Sequence, residues 1–164
     1  MKTKKLILTA VIAAIGFILT PIFRIPGYAA PMQHLINVAG VVILGPVYGF
    51  ACSTLLTVMK LFIMGEDLFS IPGGLIGAFL AALLFWKTHK ISFAVIGEIF
   101  GTGILGALCS YPLSAFVYGN AGVSLFTYIP AFTISTCFGS ICAVVLLKFM
   151  QKIGLLQKLQ QEAK

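Results

Sequence analysis

The sequence predicts an all-α integral membrane protein, a single bundle of six transmembrane helices with both termini on the cytoplasmic side. Three observations predict it. Hydrophobic residues make up 60% of the 164-residue chain and charged residues only 9%, whereas a water-soluble domain carries about a quarter charged residues. The mean hydropathy is +1.08, more apolar matter than one aqueous core hides, so lipid must be the solvent. The basic residues, finally, are sorted by position. Lys2, Lys4, Lys5, Lys87, Lys90, Lys148, Lys152, Lys158 and Lys164 lie at the ends of apolar runs or in the tails, on the side shared by the termini. Arg24 and Lys60 fall on the other side. Nine against two is the bias expected when the lysine-rich side is cytoplasmic.

Six apolar segments follow in order, about 6–20, 32–44, 47–64, 71–86, 91–117 and 123–150. The first comes after a lysine cluster and resembles a secretory signal, but nothing after residue 31 is soluble in character, so it reads as a membrane helix. Pro21 stops it, and a loop carrying Arg24, Pro26 and Gly27 follows. Segments one and two are each ~20–22 Å long as helices, short of a ~30 Å hydrocarbon layer. Residues 21–31 are therefore a candidate lid that dips over a pocket, since non-helical chain at that depth needs a cavity or protein around it. Gly45-Pro46 turns segment two into segment three, and Gly65-Glu66-Asp67 separates three from four. Lys87, His89 and Lys90 close segment four. Tyr118-Gly119-Asn120 turns segment five into segment six, and residues 151–164 form a polar, basic tail. Ala10-x-x-x-Ala14 and Gly97-x-x-x-Gly101 are small-residue faces on which helices approach closely in lipid. The second suits packing within the chain; the first serves equally well within it or against another subunit.

Polar groups inside the apolar runs are costly and are functional candidates by default. Glu98 lies ~12 Å along segment five from Lys90, at hydrocarbon depth, with Thr102 one turn further on the same face and Cys109 two turns beyond that. Its alternative role is a structural carboxyl capping a neighbouring helix. Gln33, His34 and Asn37 cluster at the start of segment two, with Gln33 and Asn37 one turn apart. Together they offer donors and acceptors; interfacial solvation is the plainer role for the first two, while Asn37 lies too deep for it. Ser110-Tyr111-Pro112 lies near the far end of segment five, where Pro112 frees a carbonyl one turn back. Tyr111 is equally an aromatic-belt residue. Lys60, Glu66 and Asp67 read as a charged rim rather than a site.

Several classes are disfavoured. The basic residues form no stripe interleaved with aromatics, so nucleic acid is not an expected partner. Cys52, Cys109, Cys137 and Cys142 form no C-x-x-C pair and have no histidine at ligand spacing, so they read as small packing residues, with no metal or cofactor expected. Hydrolase, metalloprotease and phosphate-binding signatures are absent. Any ATP hydrolysis would belong to a partner. A lipid-modifying enzyme or a purely structural subunit stays open as a reading of another class.

Three stretches carry a resemblance. They are Gln33-His34-Leu35-Ile36-Asn37-Val38 leading into Leu44-Gly45-Pro46; Ile71-Pro72-Gly73-Gly74 leading into Gly77-Ala78; and Gly97-Glu98-Ile99-Phe100-Gly101-Thr102-Gly103, continuing through Gly106-Ala107 to Tyr111-Pro112. In this order and in a six-helix layout, the chain resembles the S components of energy-coupling factor (ECF) transporters, and among them the ThiW type, assigned to the hydroxyethylthiazole half of thiamine. The resemblance implies a compact S-component bundle in a prokaryotic plasma membrane, binding substrate on the outer side under the loop after helix one. It implies docking through the Ala10/Ala14 face onto a transmembrane coupling subunit that carries two cytoplasmic ATPases. Hydroxyethylthiazole is small, flat and uncharged. Asn37 or His34 suits its ring nitrogen and Glu98 or Thr102 its hydroxyl, with Ser110 and Tyr111 as further substrate-binding candidates. Thiamine or another vitamin precursor is the alternative, because Glu98 could balance a cation.

Overall fold

A computed structural model describes residues 2–24, 31–120 and 122–162. The helices are α1 (Lys2–Ile22), α2 (Pro31–Leu44), α3 (Pro46–Ile63), α4 (Ser70–Thr88), α5 (Ile91–Val117), α6 (Ile129–Lys152) and α7 (Leu155–Glu162). Among the described residues, five helices (α1, α3, α4, α5 and α6) are long and apolar enough to cross a membrane. The sixth expected span, α2, is not one of them.

α2 is the organising element. It starts on Pro31, whose fixed φ and missing N–H suit a first helical position, and it contacts all six other helices. All of its residues but Leu35 are buried. Fourteen residues reach ~21 Å, and burial in protein releases α2 from matching the lipid thickness. Gly45, at φ 83°, turns the chain straight into Pro46 of α3, a left-handed conformation that a side chain would strain. Close to the α2 C-terminus the core is wholly apolar, with Val38, Val41, Leu44, Leu56 and Leu147 fully or almost fully buried. Near its N-terminus the buried groups are polar. The large exposed side chains elsewhere are apolar, among them Ile7, Ile18, Phe62, Phe116 and Ile141, as lipid contact requires.

Two further expectations about the elements need correction. Pro21 does not stop α1, which continues to Ile22. The Phe23 N–H donates to the Leu19 carbonyl (3.1 Å) across the proline, so one missing bond in a final turn costs little continuity. α6 begins at Ile129 rather than 123, because residues 124–128 fold as turns, in which the Ser124 carbonyl accepts from the Thr127 N–H (3.1 Å). Pro130 then sits in the first helical turn, where proline is tolerated. The tail is also partly helical: α7 buries Leu156, and Gln160 Nε2 donates to the Val42 carbonyl at 2.9 Å. That contact satisfies one of the carbonyls that the end of α2 leaves open.

α5 is not a uniform α-helix. Gly101–Gly106 and Leu113–Val117 are π-helical. Extra residues per turn rotate everything downstream relative to an α-helical register. The small face ahead of the first π segment packs within the chain: a Cβ on Gly101 would stand 2.6 Å from Gly77 Cα on α4. On α1 the inward small face is Thr9, Ala13, Gly16 and Thr20, leaving Ala10 exposed and Ala14 half-buried.

Candidate functional site

A cavity of about 350 Å³ opens where α2 begins, within the size range of small-molecule sites. The height that the short α2 leaves unfilled is this space. Its floor is Gln33 and His34 of α2, Gly73 and Gly74 of α4, and Thr102 of α5; Phe69, Tyr128 and Phe132 supply aromatic walls. Arg24, Lys60, Glu66, Asp67, Ser70 and Ala131 complete the lining.

Beneath the floor, Glu98 is fully buried and gathers three side chains. His34 Nδ1 lies 2.8 Å from Oε1. Asn37 Nδ2 donates to Oε1 (3.0 Å) and Oε2 (3.2 Å). Thr102 Oγ1 lies 2.9 Å from Oε1 and 2.8 Å from the Gly73 carbonyl, so its single proton serves one acceptor at a time.

The amide orientations can be worked out from groups with only one possible role. Lys60 Nζ only donates, and it reaches Gln33 Oε1 at 3.2 Å. Gln33 Nε2 is then free to donate to Asn37 Oδ1 and Thr57 Oγ1, both at 3.2 Å. Asn37 Nδ2 in turn donates to the Gly74 carbonyl (3.2 Å), which only accepts. Both ends of the chain agree on the same assignment. Glu98 therefore accepts from Asn37, and the direction of its bond with His34 Nδ1 follows the proton the pair shares. At the mouth, Lys60 pairs with Glu66 at 2.9 Å, and Ser70 Oγ donates to the same carboxylate at 2.7 Å. One polar line runs from the deepest carboxylate to the rim.

The walls are fixed by their own contacts. Phe69 stands between Tyr118 and Tyr128, with ring centroids 5.2 and 5.0 Å away, the separation of attractive aromatic pairs. Tyr128 Oη donates to Ser114 Oγ at 2.6 Å. These contacts hold three helix ends and the α3–α4 loop around the opening.

Five of the candidate binding residues are brought together. Gln33, His34 and Thr102 line the cavity, and Asn37 and Glu98 support them from behind. Ser110 and Tyr111 do not join them. Ser110 is buried but donates to the Gly106 carbonyl of its own helix (2.9 Å), and Tyr111 is half-buried away from the lining. The π segment between Thr102 and Ser110 explains the divergence: it also turns Cys109, expected on the Glu98 face, to the exposed surface. Lys60 departs from its expected rim role, since it is 4% exposed and hydrogen-bonded to the floor. A lysine with four apolar residues following it in an apolar run was the available signal. The aromatic walls had no signal, because the chain holds 14 Phe and 5 Tyr. Of the candidate lid, residues 25–30 lie outside the described residues; Arg24, at its start, lines the cavity.

The family model described as thiamine-precursor transporter protein (ThiW) matches residues 6–153. No curated protein and no solved structure matches the chain.

Proposed function

Because the chain belongs to the ThiW family of thiamine-precursor transporters, we propose that it is the substrate-binding S component of an ECF-type importer and that its substrate is hydroxyethylthiazole. The observation that carries this reading is the cavity itself, polar at its floor, aromatic on its walls and backed by a wholly apolar core. A small flat heterocycle with one hydroxyl matches those surfaces. Thiamine, the alternative, is a cation that would need a countercharge at depth. Glu98 is already hydrogen-bonded by three side chains or shares their protons, and it does not line the cavity. A cation would have to displace donors already in place, at a desolvation cost.

In the proposed orientation the mouth faces outward, and both termini, with nine of the eleven basic residues, face the cytoplasm. α2 then serves as a sixth, short span. Docking on a transmembrane coupling subunit uses the outward face of α1 around Ala10 and Ala14, flanked by exposed Ile7, Val11 and Ile18. Close helix approach in lipid needs small residues at the contact. Two ATPase subunits bound to that partner supply the energy.

Ligand titration of the purified chain in detergent tests the substrate. Hydroxyethylthiazole is expected to bind, with Asn37→Ala weakening it by about tenfold or more through the lost support of Glu98 and Gln33. Stronger binding of thiamine would replace the substrate, and absence of binding by either would reject the reading.

A further inference from the structure

Among the described residues, three buried side-chain polar atoms have no hydrogen-bond partner: His34 Nε2, Thr136 Oγ1 and Ser140 Oγ. The two hydroxyls sit on α6, where one χ1 rotation brings each within reach of a carbonyl a turn back. The imidazole has no such recourse. Its ring is held by the hydrogen bond between Nδ1 and Glu98, and turning it would break the bond that orients it. His34 also belongs to the cavity wall. A buried polar atom without a partner is costly.

The chemistry of the missing partner depends on where the protons of the His34–Glu98 pair lie. With hydrogen on Nδ1, a neutral imidazole presents a lone pair at Nε2, and the absent group is then a donor. The thiazole ring offers acceptors only, and the hydroxyethyl arm carries the molecule's one O–H. We propose that His34 is a neutral imidazole with its hydrogen on Nδ1 and that Nε2 accepts the hydroxyl proton of the substrate, so that the cavity selects the free alcohol over derivatives lacking that proton. This rests on the cavity being the thiazole site. The hydroxyl arm points down to α2, and the ring lies among Phe69, Tyr128 and Phe132. A phosphate ester presents acceptors to the lone pair, with the Glu98 carboxylate behind it, and is excluded.

The experiment compares hydroxyethylthiazole with its 2-fluoroethyl analogue, close in size but without the proton, by calorimetry on the full-length protein and on His34→Ala. The alcohol is expected to bind wild type roughly ten- to a hundredfold tighter than the fluoride. That ratio should fall to about one in His34→Ala. A purely structural histidine would weaken both ligands and leave the ratio unchanged. The chain has two histidines, so ¹⁵N-histidine NMR of the His89→Gln protein reads His34 alone. Its Nε2 resonance should move on adding the alcohol and stay in place with the fluoride, a readout independent of whether His34→Ala folds. Equal binding of alcohol and fluoride to wild type would overturn the proposal and leave the thiazole site standing. Failure of both to bind would remove the site and the proposal together.

Discussion

Glu98 shows how one residue organises a site from inside an apolar helix. Its oxygens take hydrogen bonds from α2 and α5, and Asn37 carries the line on to Gln33 and Lys60. Glu98→Ala strands His34 Nδ1 and takes one partner each from Asn37 and Thr102, which keep the Gly74 and Gly73 carbonyls. Intramembrane hydrogen bonds are individually modest, but three side chains lose a partner at once. Chemical denaturation in detergent is expected to show a loss of about 2–4 kcal/mol for Glu98→Ala and distinctly less for Glu98→Gln. Equal stability of the alanine variant and wild type would mean the carboxylate is not the hub. Lys60 gives a second test. Lys60→Met alone leaves Gln33 Oε1 without its donor and Glu66 without its cation, with only Ser70 still donating to that carboxylate; the expected cost is about 1–3 kcal/mol. Lys60→Met with Glu66→Met removes both charges and should recover part of it, because a missing partner costs more than a missing pair. Gln33, His34, Asn37 and Glu98 were legible in the sequence because each interrupts an apolar run. Lys60 carried the same signal but sat near a run's end beside two acids, where a rim is the simpler reading.

At the scale of elements, glycine and helix geometry decide what reaches the cavity. A Cβ on Gly77 would overlap Thr102 Oγ1 and stand 2.8 Å from Glu98 Oε2. Gly77→Ala must push α4 and α5 apart at the site, an overpacking expected to cost about 1–3 kcal/mol and to weaken thiazole binding at least tenfold. Gly122→Ala is the control, since nothing lies within 4 Å of its Cβ position. Matched binding by the two variants would show that the α4–α5 approach does not shape the site. Helix identities and order were legible, because Gly-Pro, Tyr-Gly-Asn and the lysine clusters punctuate the runs. The π segment at Gly101–Gly106 was not. Its glycines permit several helical geometries, and the packing of α4 against α5 selects one. Candidate residues before that segment, and Thr102 at its start, reached the site, and those after it did not.

Across the whole molecule, the bundle is apolar at one end and polar at the other, and the proposed orientation sets the polar cavity outward. Single cysteines at Gly119 and Gln161, in a background without the four native cysteines, test this. The impermeant thiol reagent applied to intact cells should label Gly119→Cys and spare Gln161→Cys until the membrane is opened. The reverse pattern would invert the orientation and place the cavity on the cytoplasmic side. The exposed apolar face of α1, carrying Leu6, Ile7, Val11, Ile15 and Ile18 around Ala10, is free for lipid or a partner, because the inward packing uses a different stripe of small residues.

The sequence by itself determined the solvent, the helical class and the costly groups around which a site could form, because each follows from composition and local pattern. Tertiary structure alone decided which of those groups meet. It set α2 at the centre, where a helix too short for the bilayer leaves room for a cavity, and it brought Lys60 and three aromatic side chains to that cavity. Those outcomes depend on helix packing between residues far apart in the chain, and no local pattern encodes a distance of that kind.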